Sequence, residues 1–128
     1  MASILKVDTI TGVSTAGSIA VTGEGNSTTT NLQQGLCKAW CRASAAAALQ
    51  DSFNIASGTD SGTGNYEFTF TNNMATSAIA GSATAVSSLA RMATYHGTST
   101  TGYSVEDYND SGSKEDTGTE HQTFGDLA

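Results

Sequence analysis

The pattern of apolar and polar positions along the chain is mainly one of alternation. Ser18-Ile19-Ala20-Val21-Thr22 alternates between Gly17 and Gly23 and predicts a short strand. Thr28, Thr29 and Thr30 suit extended backbone, because β-branched residues are stiff at χ1. Leu36-Cys37-Lys38-Ala39-Trp40-Cys41 has the bulk to open a folded domain. Residues 50–57 alternate, with Phe53 and Ile55 expected on one face of a single strand. Residues 58–64 crowd Gly, Thr, Asp and Ser together and read as a loop. Residues 65–71 then alternate with Tyr66, Phe68 and Phe70 on one face, so the pair predicts a β-hairpin.

The rest of the chain is less sharply patterned. Residues 43–49 are expected to form a turn or loop between strands, with a short helical turn as the alternative, since seven residues make a marginal helix. Residues 78–92 read as strand or short helix, and 91–96 as a strand. Over 102–108, Tyr103, Val105 and Asp107 alternate against Ser104, Glu106 and Tyr108. Residues 109–118 are a polar, charged loop, and 120–125 a final strand. The expected fold is all-β: an extended N-terminal arm or stalk over 1–35, then a small antiparallel β-sandwich-like domain over 36–128. Trp40, Tyr66, Phe68 and Phe70 are the expected core aromatics. No repeat of fixed period is visible.

Composition adds a reason to expect an assembly. Only 38% of the 128 residues are hydrophobic, and many of these are Ala. Such a chain buries little apolar area alone, and small domains of this kind often oligomerise. The absence of proline removes one guard on strand edges, which then need pairing within the chain or with other copies. A net charge of −7 repels phosphate backbones and anionic lipid, so neither nucleic acid nor a membrane is an expected partner. No apolar run is long enough for a transmembrane helix, and the first ten residues have neither the basic region nor the apolar stretch of a secretory signal.

Candidate chemistry is sparse. Cys37 and Cys41 have no metal-ligand set around them and read as reduced structural thiols. A Cys/His nucleophile would need His96 or His121 and an orienting group nearby, which the sequence permits without indicating. Glu106, Asp107, Asp110, Glu115 and Asp116 read as a solvated acidic surface, lacking the fixed spacing of a glycosidase pair. Residues 107–112 resemble the start of a calcium loop, but its twelfth position is Gly118 where a Glu is needed. No enzyme activity, cofactor or metal is expected. Tyr95, Tyr103 and Tyr108 are candidates for a receptor-facing surface, because Tyr is favoured where one side is apolar and the other wet.

Several motifs in order carry a family resemblance. The opening Ser3-Ile-Leu-Lys-Val-Asp-Thr-Ile10 is similar to the N-terminus of fibre and structural proteins of tailed bacteriophages, especially marine ones. Lys38-Ala39-Trp40, Asp51-Ser-Phe-Asn-Ile55, the stretch from Asp60 to Phe70, and the closing Phe124-Gly-Asp-Leu-Ala128 resemble a C-terminal domain of the same group. Residues 43–49 depart from that group, and 75–120 carry no pattern belonging to it. The resemblance implies a virion location after synthesis in a bacterial cytoplasm and a symmetric assembly, with a homotrimer expected. It further implies attachment to other virion proteins through the N-terminal arm (Ile4, Leu5, Val7 and Ile10), and a part in adsorption to a host-surface saccharide or protein. The alternative within the same class is a capsid decoration protein whose role is mechanical.

Overall fold

The computed structural model describes residues 4–12, 19–23, 28–87 and 89–128. The chain divides into two compact units, Met1–Leu36 and Cys37–Ala128.

In the first unit, residues 4–12 carry no regular secondary structure. Strands β1 (Ala20–Thr22) and β2 (Thr29–Asn31) pair antiparallel, where the alternation and the Thr run predict extended chain. Gly17 and Ser18, the N-terminal boundary and first residue of the predicted strand, lie outside the described residues. One helical turn, α1 (Leu32–Gly35), follows β2. Asn31 caps it: its Oδ1 accepts from Gln34 N at 3.0 Å, as the free amides of a first turn require.

The second unit is a β-sandwich of two four-stranded sheets, antiparallel at every pairing. One sheet has the order β4-β3-β10-β7, from β3 (Ala39–Ala43), β4 (Leu49–Phe53), β7 (Ala80–Val86) and β10 (Gly118–Phe124). The other has the order β5-β6-β9-β8, from β5 (Ile55–Gly62), β6 (Asn65–Phe70), β8 (Arg91–His96) and β9 (Gly102–Asn109). The all-β reading therefore holds for this unit. Residues 43–49 form the expected turn, between β3 and β4, and residues 80–86 resolve as strand.

Two expectations about where strands begin and end are overturned. Phe53 and Ile55 do not share a strand. Asn54 stands between them with φ at 58°, and the chain passes there from one sheet to the other. Asn is among the few non-glycine residues that adopt this left-handed conformation cheaply. Its side chain pins the corner, donating to Lys38 O and Asn72 O at 3.1 Å each and accepting from Asn72 N at 2.7 Å. Ile55 goes inward and Phe53 stays half-exposed. The second correction is the loop read at 58–64. Most of it is strand β5, and only Thr63 and Gly64 turn the hairpin, with Gly64 at φ +63°. β5 is an edge strand interrupted by two register shifts, so pairing with β6 overrides its turn-rich composition.

The core lies between the sheets. Tyr66, Phe68 and Phe70 fill it from β6 as the alternation predicts, with Tyr103 and Val105 from β9, and Ala39, Cys41 and Ala43 from β3. Trp40 is not among them, contrary to expectation. β3 has period two, and Ala39, Cys41 and Ala43 occupy the inner parity, so Trp40 stands on the outer face, 39% exposed.

Candidate functional site

The inner face of β10 is polar. Thr119, His121 and Thr123 are all buried there, and the strand is preceded by buried Thr117. Tyrosines of the opposite sheet reach across to this strand. Tyr66 Oη accepts from Thr117 N at 3.0 Å. Tyr103 Oη lies 2.9 Å from His121 Nδ1, and Tyr95 Oη lies 3.0 Å from Thr123 Oγ1. Gly81 makes room for Tyr95: a Cβ there would fall 2.4 Å from the ring. These bonds satisfy groups whose burial would otherwise be costly.

The same cluster contains the Cys/His pair that the sequence permits. Cys41 Sγ lies 3.1 Å from His121 Nδ1, while His121 Nε2 is 2.6 Å from Thr119 Oγ1. Burial pushes the Cys41 thiol up to about 11 and the His121 imidazole down to about 4. Both groups are thus held neutral at pH 7. A nucleophilic cysteine needs the reverse, a thiolate stabilised by a cation or helix N-terminus. The pair is a packing and hydrogen-bonding element, with Phe68 edge-on to the imidazole at 4.3 Å. Cys37 and Cys41 are both free thiols.

The acidic residues do not converge. Asp107 faces inward and is wholly buried, not on a solvated surface as read from the sequence. Thr117 Oγ1 donates to its Oδ2 at 2.5 Å, and its Oδ1 has no hydrogen-bond partner among the described residues. Burial, with a further push from the Asp116 charge, raises the Asp107 carboxyl to about 6. Glu106 is engaged by Tyr108 Oη and Lys114 Nζ, which hold its carboxyl below its ordinary value. Glu115 pairs with Arg91 at 2.6 Å. Asp116 accepts from Gly64 N at 2.6 Å. In the calcium-like segment, Asn109 Oδ1 accepts from Ser111 N and Ser113 N, so it serves the turn itself. Among the described residues, no group of three or more His, Cys, Asp or Glu side chains is placed to hold a metal ion.

The proposed receptor-facing tyrosines are corrected in part. Tyr103 is 3% exposed, because it shares the inward parity of Val105 and Asp107. Tyr95 is half-buried against the core, with its hydroxyl committed to Thr123. Tyr108 has the outward parity and is half-buried, its hydroxyl donated to Glu106. His96 is exposed and lies 3.7 Å from Glu106. In the first unit, Ile4, Leu5, Val7 and Ile10 are all exposed.

The most distinctive exposed surface is one the sequence reading did not single out, the outer face of the β4-β3-β10-β7 sheet. Register places Phe53, Trp40, Gln122 and Ser82 in one cross-strand row. Two residues along, Asp51, Arg42, Glu120 and Thr84 form the next. All eight are exposed. A shallow groove of about 260 Å³ runs between Trp40, Gln122, Glu120, Ser82 and Thr84. The available signal was the parity of β3, where small Ala39, Cys41 and Ala43 flank one large aromatic of opposite phase.

No protein-family model, curated protein or solved structure matches this chain.

Proposed function

We propose that the chain is a structural protein of a tailed-bacteriophage virion, a fibre, spike or appendage subunit that attaches through its N-terminal unit and contributes to adsorption. The observation that carries this reading is the ordered series of motifs, from Ser3–Ile10 through Lys38–Trp40 and Asp51–Ile55 to Phe124–Ala128. Two features of the fold accord with it. The N-terminal residues form a compact unit of their own, which exposes Ile4, Leu5, Val7 and Ile10, apolar side chains that a binding partner could cover. The pair with the look of a nucleophile, Cys41 and His121, sits sealed in the core in neutral form.

The test is mass spectrometry of particles purified from the phage whose genome encodes the chain, with light scattering of the purified protein. Peptides of the chain in washed particles and a stable trimer in solution are the expected result. Absence from the particles overturns the virion reading. A monomer that is present on particles in numbers set by the capsid lattice favours the decoration role instead.

A further inference from the structure

We infer that the outer face of the β4-β3-β10-β7 sheet is a binding site for a neutral saccharide, centred on Trp40. The inference rests on the adsorption reading for its biological sense, and on the composition of the face for its chemistry.

A pyranose ring presents a C–H face edged by hydroxyl groups. Its C–H bonds carry partial positive charge and favour the electron-rich face of an aromatic ring. Its hydroxyls need side chains that both donate and accept. The outer face supplies both in one row. Trp40 and Phe53 are register partners and are 39% and 52% exposed. Gln122 is the register partner of Trp40 on the other side, and its amide donates to Ser82 Oγ at 3.2 Å. The polar groups are already held in place: Arg42 Nε donates to Gln50 Oε1 at 3.0 Å, and an Arg42 terminal nitrogen lies 3.2 Å from Glu120. Such preorganisation lowers the ordering cost of binding. Four strands at their usual spacing span about 15 Å, room for a short oligosaccharide.

The same features argue against other occupants. Protein interfaces have an apolar centre depleted of charge and bury on the order of 1,000 Å² or more, whereas the two central rows of this face set one adjacent aromatic pair, Phe53 and Trp40, beside six polar positions that include three charges. An anionic polymer would meet a chain of net charge −7, with Arg42 already paired to Glu120.

Trp40 is the sole tryptophan of the chain, so its fluorescence reports on this face alone. The experiment titrates the full-length protein with methyl glycosides of glucose, galactose, mannose and N-acetylglucosamine, and with maltotriose, chitotriose and dextran. The expected result is a saturable change in emission with at least one of them. Calorimetry on Trp40→Ala should then show affinity lowered by about tenfold or more, and Gln122→Ala a smaller loss, with the circular dichroism of both unchanged. A flat response to every glycan overturns the inference. So does an emission that shifts with protein concentration alone while Trp40→Ala lowers the mass in solution, because a second copy would then cover the face. Either failure leaves the virion reading intact, since that is decided by the content of purified particles.

Discussion

Tyr103 Oη stands 2.9 Å from His121 Nδ1 and links the two sheets through the middle of the core. The tyrosine is on β9 and the histidine on β10, in opposite layers. Tyr103→Phe keeps the ring and removes this partner. Buried His121 Nδ1 then retains only the weaker sulfur contact with Cys41 at 3.1 Å. The expected loss is about 1–2 kcal/mol in urea unfolding, because a buried polar group is left under-satisfied. An unchanged midpoint would mean that Cys41 suffices.

Two buried groups give opposing pH dependences. His121 is held down at about 4 against an ordinary 6.5, so its contribution is fully present above about pH 6.5 and is lost as pH falls towards 4. Asp107 is raised from 3.8 to about 6, so its buried charge weakens the fold above that value, and the penalty is relieved as pH falls from about 6 to 3.8. The slopes nearly cancel across the shared window. Asp107→Asn removes one of them. The variant should be more stable than the parent at pH 8 by about 1–2 kcal/mol, because it buries an amide in place of a charge. It should lose that advantage at pH 4 and decline with acidification where the parent is nearly flat. Thermal melts of both proteins between pH 8 and 4 check this, and parallel curves would count against the assignment.

The Cys41 thiol should be unreactive in the folded protein. Burial raises it to about 11, and it is 2% exposed. Labelling with an aromatic disulfide at pH 8, followed by peptide mapping, should show native Cys41 reacting at least ~100-fold more slowly than in urea, because the thiolate is the reacting form. Fast native labelling would show that the sheets open readily.

Gly81 and Gly112 separate crowding from backbone strain. A Cβ at Gly81 would fall 2.4 Å from the Tyr95 ring, which cannot withdraw without losing the Thr123 contact. Gly81→Ala should cost about 1–3 kcal/mol by overpacking. At Gly112 a Cβ meets nothing within 4 Å, but φ is +76°, so Gly112→Ala should cost about 1 kcal/mol through its backbone alone. Restoring space with Tyr95→Ala should remove most of the added cost of Gly81→Ala and none of that at Gly112. Urea midpoints of the three single variants and of the two doubles that combine Tyr95→Ala with each glycine change decide it.

How far the sequence could be read depends on which interaction sets each element. β6, β8, β9 and β10 were legible because period-two alternation is a local signal, and Tyr66, Phe68 and Phe70 went inward as that signal demands. β5 was not legible. Gly58, Asp60 and Gly62 favour turns, and only hydrogen bonding to β6 makes that stretch a strand. The break at Asn54 was hidden as well, since alternation runs through Phe53 and Ile55 with no sign that the chain changes sheets between them. Trp40 faces outward despite its size, because the parity of β3 gives the inner face to Ala39, Cys41 and Ala43.

The chemistry divides in the same way. The sequence by itself determined an all-β domain of alternating strands, the aromatic face of β6, an acidic surface charge and the motifs that carry the resemblance, because each is written in residue type and short spacing. Only the tertiary structure decided that Cys41 and His121 meet, that Tyr103 and Asp107 are buried, and that Phe53, Trp40, Gln122 and Ser82 line up across four strands. Those relations join residues far apart in the chain. They depend on strand order and register, which follow from the packing of the two sheets as a whole.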